Sequence, residues 1–503
     1  MVAMSSALPP LITALLDPRR YPHFADRVEC IETHASWLLL AGDFAYKIKK
    51  AITLPFLDYG TLARRETFCR AELVLNRRLA PGLYLEVVPI GGTPEQPRFG
   101  ALPVIEWAVR MRRFDESDRL DRVAARGELK PAHLSQLATT LCAFQKAAAA
   151  AAPGTRFGAP GQVLAAAQEN FVELRQLLPQ SDQAQVEQLA RWTQEEFALR
   201  TVDFAARKAG GCVREGHGDL HLGNLVLIDN RVTPFDCIEF NEDFRWNDPA
   251  SEIAFVWIDL LDHCQPGLAA WFLNAWLETS GDFQALVVLR FYAAYRALVR
   301  AKVAALRARQ EDAAQGLVEV DSARTYVQLA WRIAVPPAPT LVITCGLSGS
   351  GKTTASSARL LNSTATGSVI RLRSDVERKR LFGLESQESS SSMLDSGIYT
   401  TEATTRTYAR LKILARELLA AGWPVIVDAA FLQREERAAF RALAAELGIS
   451  FGILTTEAPI EELRRRLMAR SGDASEATVA VLEKQLTWFE PLDEDERTCI
   501  ITA

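Results

Sequence analysis

Two groups of residues in this 503-residue chain have the types and spacing for handling phosphate. The first runs His217-Gly218-Asp219-Leu220-His221-Leu222-Gly223-Asn224 and is followed by Phe235-Asp236; the second is Gly346-Leu347-Ser348-Gly349-Ser350-Gly351-Lys352-Thr353. The second fits G-x-x-x-x-G-K-[ST], in which backbone N–H groups cradle phosphates, a lysine reaches the β and γ oxygens and a hydroxyl holds Mg2+. Gly346, Ser348, Gly349, Ser350, Gly351, Lys352, Thr353 and Thr354 are its nucleotide-binding candidates, with Thr353 as the metal hydroxyl. The first group offers carboxylates and an amide, the parts that phosphoryl transfer asks for: a base near an acceptor hydroxyl and oxygen ligands for Mg2+. His217 and His221, four apart, also suggest a metal pair, but Gly218 stands where zinc hydrolases carry glutamate.

These groups need two different scaffolds. Around the second, short apolar runs alternate with amphipathic stretches: Leu341 to Cys345, Val369 to Leu372, Val425 to Val427, Phe451 to Leu454 and Thr498 to Ile501. Runs that short, apolar on both faces and separated by helical patterns, predict a parallel sheet buried between helices. Gly346 to Thr353 follows a strand and opens a helix, whose N-terminal partial charge suits phosphate. Upstream, residues 31–90 read as strand-rich, with Trp37 to Leu40 and Phe44 to Lys49 separated by the hairpin signal Ala41-Gly42-Asp43. A helix is expected from about Thr61 to Leu79, and a mainly helical stretch after Pro131. The alanine run Lys146 to Ala152, closed by Pro153-Gly154, reads as a helix end. Leu225 to Val232 reads as a hairpin with a polar tip that delivers Asp236. The cluster Val335-Pro336-Pro337-Ala338-Pro339 cannot continue a helix and marks a junction. Residues 1–335 then form an α+β part with a small strand-rich lobe and a larger helical lobe, and 336–503 an α/β part with a parallel sheet. Few elements are expected to cross this junction, so the two parts are expected to fold independently.

Composition narrows the class. An apolar fraction of 49% and a charged fraction of 24% describe a soluble globular protein. A formal charge of −5 argues against nonspecific nucleic-acid binding, which needs a basic field. The eight cysteines are scattered without a C-x-x-C pair and read as buried reduced thiols. The N-terminus lacks a basic region, and Pro9-Pro10 interrupts its apolar stretch, unlike a secretory signal. Ile253 to Leu261 is broken by Asp259 and Asp262, far short of the ~20 residues that span a bilayer. A cytoplasmic protein is expected, with neither nucleic acid nor membrane as partner; nothing in the chain indicates its oligomeric state.

His217-Gly218-Asp219-x-His221-x-x-Asn224 resembles the catalytic loop of the aminoglycoside phosphotransferase and choline kinase-like superfamily. The resemblance implies a protein-kinase-like bilobal fold in which Asp219 accepts the acceptor proton and Asn224 and Asp236 bind Mg2+. Asp236-Cys237-Ile238-Glu239 replaces the Asp-Phe-Gly of protein kinases. It also implies a phosphate lysine on the strand Phe44 to Lys49. Lys47 and Lys49 share one face of that strand; the order apolar, aromatic, Lys, apolar matches Lys47, with Lys49 as the alternative and Glu72 as the helix partner. Asp248 and Glu252 resemble acidic positions after the metal motif and read as structural. In the second part Asp428 looks like the Walker-B acid at a metal, and Ala429-Ala430 stand where motor ATPases place a water-polarising glutamate, which favours transfer over hydrolysis. Asp375 follows the second strand, where shikimate, gluconate and zeta-toxin-like kinases place the acid that meets the acceptor hydroxyl. By that resemblance Asp375 is the base and Arg378 an anion clamp. Leu463 to Asp473 is similar to the arginine-bearing lid of those kinases, with Arg466 and Arg470 four apart on one helical face and directed at the transferring phosphate.

Taken together, the chain resembles a bacterial bifunctional family that fuses an aminoglycoside phosphotransferase-like domain to a P-loop ATP-binding kinase domain. The likeness extends from about Glu32 to Glu490 and is densest at Ala45 to Lys50, Pro55 to Tyr59, Leu75 to Pro81 and Val87 to Ile90. It implies phosphoryl transfer without naming the acceptor. The leading expectation is a kinase using ATP and Mg2+ at two sites to phosphorylate a hydroxyl of a small molecule. Two alternatives stand beside it: a P-loop kinase regulated by a nucleotide-sensing N-terminal domain, and a nucleotide-dependent binding switch. A switch leaves ATP consumption flat across a panel of acceptors.

Overall fold

The computed structural model describes residues 8–54, 56–309, 313–363, 366–385, 388, 400–469 and 477–502. The strand-rich lobe is a six-stranded antiparallel sheet of β1 (Val28–Glu32), β2 (Ser36–Ala41), β3 (Phe44–Lys49), β4 (Tyr84–Thr93), β5 (Gln96–Phe99) and β6 (Val104–Arg112), in the order β1-β2-β3-β6-β4-β5. Helix α1 (Leu62–Arg77) is capped by Thr61, whose side chain accepts the Arg64 N–H, and packs on this sheet. It buries Arg65, Cys69, Glu72, Leu75 and Asn76, a set that recurs every three or four positions along one face. A helix that buries a glutamate and an asparagine toward a sheet is built for those polar groups, since each must find a partner there.

The helical lobe includes α2 (Pro131–Ala147), α3 (Pro249–Asp262), α4 (Pro266–Ser280), α5 (Ala285–Ala308) and α6 (Ala313–Ala334), with a hairpin of β7 (Leu225–Ile228) and β8 (Arg231–Pro234). The hairpin turns through Asp229 and Asn230, both at positive φ, the residue types that tolerate it best after glycine. Helix α2 stops at Ala147, earlier than the alanine run suggested. Past that point the Ala151 N–H donates to the Val213 carbonyl and the Glu215 N–H to the Ala149 carbonyl, so strand-like pairing overrides alanine's helix propensity.

After α6 the chain crosses residues 335–339 and enters β9 (Thr340–Cys345), the middle of a five-stranded parallel sheet. With β10 (Ile370–Arg373), β11 (Val425–Asp428), β12 (Ser450–Thr455) and β13 (Ile500–Ile501) the order is β10-β11-β9-β12-β13. Four of its helices matter below: α7 (Lys352–Leu361), α8 (Ser374–Leu381), α9 (Ile460–Ala469) and α10 (Val479–Trp488).

The expectation that few contacts cross the junction is overturned. One contiguous cluster of buried apolar side chains runs from Leu120 through Trp257, Leu273 and Leu289 to Trp423, Val427 and Ile453. Trp257 of α3 and Trp423 lie with ring centroids 5.9 Å apart, and their indole N–H groups donate to the carbonyls of Gly367 and Leu286 on the opposite part at 3.1 and 3.0 Å. Arg290 of α5 donates to the carbonyls of Ala421 and Gly422 at 3.0 and 2.8 Å. A Cβ added at Gly267 of α4 would lie 1.9 Å from the Leu361 carbonyl oxygen, so the backbones themselves meet. Burying two whole indoles here contributes on the order of 5 kcal/mol each, at roughly 200 Å² per ring and 25 cal/mol per Å².

Candidate active sites

In the first part, β3 directs Lys47 and Lys49 to the same side, where five charged groups form an alternating ladder. Lys47 Nζ lies 2.5 Å from Asp236 and 2.8 Å from Glu72; Lys49 Nζ lies 2.6 Å from the other Glu72 oxygen and also pairs with Glu239. Tyr59 donates its hydroxyl to Glu239. Lys49 is buried in this ladder, whereas Lys47 keeps 17% of its side chain exposed and Asp236 keeps 43%. The two lysines therefore have different surroundings: Lys47 is the more exposed and pairs with Asp236 and Glu72, and Lys49 braces Glu72 from the buried side. Lys50 points away to Glu32 and over the Trp37 ring.

Burial alone would raise the Glu72 carboxyl, but Lys47 and Lys49 outweigh it and hold it down at about 2. Burial alone would lower both lysines; Asp236 and Glu72 at Lys47, and Glu239 and Glu72 at Lys49, hold them well above the usual ammonium range. The Glu72 term is thus fully present above its ordinary value of 4.5 and is lost as pH falls toward 2. Acid titration of the melting temperature checks this: Glu72→Gln should flatten the slope between those two values relative to the parent. An unchanged slope would remove Glu72 from the ladder's energetics.

The loop from His217 to Asn224 is held by carboxylates of α3. Glu252 accepts the backbone N–H groups of His217 and Gly218, and Asp259 accepts the Leu222 N–H at 2.9 Å. Burial lowers the His217 imidazole and keeps it neutral, with Nε2–H directed at the Phe235 carbonyl at 2.8 Å. Asp219 emerges from this loop. Asn224 donates Nδ2 to its backbone oxygen at 3.0 Å and to its carboxylate at 3.1 Å, and His221 Nε2 stands 3.5 Å from the same carboxylate. Burial would raise the Asp219 carboxyl, but His221 and Arg300 overcome that and hold it well below the usual range, so it is an ionised acceptor at neutral pH. Asp236 has φ +62°; its N–H donates to the Tyr84 hydroxyl at 3.1 Å and the next N–H, of Cys237, to Asn76 at 2.8 Å. These contacts store a strained backbone at a half-exposed residue paired with Lys47.

In the second part the phosphate loop has φ +156°, +82° and +99° at Gly346, Gly349 and Gly351, conformations in which a Cβ is strained, so its N–H groups are free to converge. Lys352 Nζ lies 2.9 and 2.8 Å from the carbonyls of Gly346 and Leu347, Ser350 hydrogen-bonds Thr456, and the Ser348 N–H donates to Gln485 of α10. Asp428 ends β11, in register with Arg373 on β10, and accepts the Ser356 hydroxyl at 2.9 Å. A cavity of about 1200 Å³ brings Lys352, Thr353, Thr354 and Asp428 together with Asp375, Arg378 and Arg466. Arg466 also reaches the Gly349 carbonyl at 3.3 Å. Arg470 lies outside the described residues.

Among the described residues no cluster of three or more His, Cys, Asp or Glu is arranged to hold an ion. Thr353 with Asp428, and Asn224 with Asp236, offer hard oxygen donors of the kind that would fit a Mg2+–nucleotide shell. The residues that motif reading missed are Asn76, Tyr84, Glu239 and Gln485. Glu239 had one signal, its place three residues after Asp236; Asn76 lies one helical turn past Glu72; Tyr84 and Gln485 had none.

A family model described as an AAA domain matches residues 341–492. Over 473 residues the chain is 31% identical to the uncharacterized protein Rv2004c of Mycobacterium tuberculosis, covering 92% of this chain and 91% of that protein, and the same figures hold for Mb2027c of Mycobacterium bovis. Among solved structures, the GDP complex of aminoglycoside 2'-phosphotransferase-IIIa is 15% identical with a TM-score of 0.40, covering 63% of this chain and 98% of that one. The Mycobacterium tuberculosis APS kinase CysC, solved with AMPPNP and APS, is 28% identical with a TM-score of 0.22, covering 27% of this chain and 75% of that one.

Proposed function

We propose that this chain, which belongs to the same family as the mycobacterial Rv2004c protein and matches an AAA domain over residues 341–492, is a phosphotransferase with two sites, an aminoglycoside phosphotransferase-like one and a P-loop kinase one. Each site uses ATP and Mg2+ to phosphorylate a hydroxyl of a small molecule, with the domains divided at residues 335 and 336. The observation that supports the reading is that each part sets a lysine and oxygen donors among its motif residues: Lys47 pairs with Asp236 and Asn224 with Asp219 in one, and Lys352, Asp428 and Asp375 line one cavity in the other.

In the first site Lys47, freed from Asp236, neutralises phosphate oxygens while Glu72 keeps it aimed. Asp219 takes the proton of the acceptor hydroxyl as its oxygen bonds to the γ-phosphorus and the bond to the leaving diphosphate breaks. In the second, Lys352 and Arg466 meet the phosphate chain, Asp375 takes the acceptor proton and Arg378 binds an anionic group of the acceptor. Mg2+ held by Asn224 and Asp236, or by Thr353 and Asp428, supplies charge neutralisation on the phosphate oxygens. The eight cysteines are free, and burial pushes the thiols of Cys69, Cys142 and Cys237 up to about 12, which makes those three poor nucleophiles.

The test is an ATP-consumption screen of the full chain over sugars, aminoglycosides, nucleosides and amino alcohols. At least one acceptor should stimulate turnover, and Asp219→Asn or Asp375→Asn should remove that stimulation site by site. Consumption that stays flat across the panel would sink the phosphotransferase reading in favour of a nucleotide switch.

A further inference from the structure

Strand β10, which leads into Asp375, is an edge of the parallel sheet, and a helix of the other part covers it. Asn274 of α4 accepts the Arg371 N–H at 2.6 Å and donates to the Val369 carbonyl at 2.7 Å, pairing with the edge as a strand would. One helical turn on, Glu278 engages three arginines of the segment that carries Asp375. Its carboxylate accepts from Arg371 at 2.7 Å and from Arg373 at 3.4 Å, and its carbonyl accepts from Arg380 at 2.8 Å. Arg371, 6% exposed, also donates to Ser357 at 2.7 Å and approaches Ser356 at 3.4 Å, both on the helix that follows the phosphate loop. Ser356 in turn donates to Asp428.

We infer that Glu278, from the kinase-like part, is a positioning residue of the P-loop site: by neutralising Arg371 it leaves the Asp428 carboxylate free for a divalent cation. The inference rests on the reading of that site as a nucleotide and Mg2+ site. Its physical basis is charge in a poorly hydrated place. With Glu278 present the Arg371 guanidinium has a carboxylate of its own; without it, neutral serine hydroxyls are all that stand between that guanidinium and Asp428. A buried cation so left attracts the nearby carboxylate and opposes a second cation there. The same contact holds Arg373, in register with Asp428 and lining the cavity beside Asp375.

The experiment uses the full chain with Asp236→Ala, so that the first site does not report, and follows a fluorescent ATP analogue as Mg2+ is titrated. Glu278→Gln, which keeps the shape and removes the charge, should raise the Mg2+ half-saturation ~10-fold, within the roughly 5- to 150-fold range of coupling between sites. Adding Arg371→Met, which removes the opposing charge, should bring it back to within about threefold of the Glu278 parent. A purely structural brace predicts the opposite order, with the double variant worse than either single. The inference is overturned if Glu278→Gln lowers the melting temperature without moving the half-saturation, or if Arg371→Met gives no recovery. Lys352→Ala in the same background reads the site assignment itself: unchanged Mg2+–nucleotide binding there overturns both, whereas weakened binding with an inert Glu278→Gln overturns only the role of Glu278.

Discussion

Asp375→Asn should leave ATP bound and any slow background hydrolysis intact, yet lower acceptor-stimulated turnover in the P-loop site ~10²- to 10⁴-fold, the loss typical when a general base is removed. Asp375 sits in the first turn of α8 and lines the same cavity as Lys352 and Asp428, on the side where Arg373 and Arg378 also face in. An asparagine there keeps the volume and accepts a hydrogen bond but takes no proton. Lys352→Ala is the contrast, because its charge meets the phosphates whatever the acceptor is; it should weaken ATP binding and turnover together. Both rates, measured in one preparation with an acceptor from the screen, separate the two roles. Stimulated turnover that survives Asp375→Asn would remove it as the base.

Asp236→Ala should abolish Mg2+-dependent nucleotide binding in the first site, whereas Asp219→Asn should spare binding and remove turnover. The geometry separates the two carboxylates: Asp236 reaches Lys47 in the ladder, and Asp219 is gathered with Asn224 and His221 on the loop from His217 to Asn224. Because His221 and Arg300 hold Asp219 ionised, the acid limb of its activity should lie below the range of an ordinary carboxylate. Titrating the fluorescent nucleotide into each variant, with Lys352→Ala silencing the other site, reads this directly. Equal loss of affinity in both variants would show the roles to be misassigned.

Local pattern was enough for the elements that carry the sites. The alternating strand Phe44 to Lys49, the helix after Thr61, the hairpin before Asp236 and the strand before Gly346 are all where periodicity and caps put them. What pattern could not reach are partners that meet only through the tertiary fold: Tyr84 and Asn76 lie 152 and 161 residues before the N–H groups they hold. Lys49 was legible as an alternative to Lys47, but not that both would clasp one glutamate. The interface had a readable signal of a different kind. Residues Ala250 to Leu261 of α3 are buried on every side, and a helix whose apolar residues extend around its circumference needs covering on all faces. Too short to cross a bilayer, that stretch had to be covered by protein.

That helix also sets how the chain comes apart. Its carboxylates hold the loop of the first site while Trp257 is walled in by the second part, so neither half has a core that closes alone. Heat should therefore melt the chain in one cooperative transition, and mass action then links the halves: nucleotide at a hundred times its dissociation constant on either site adds about 2.7 kcal/mol to the resistance of the whole.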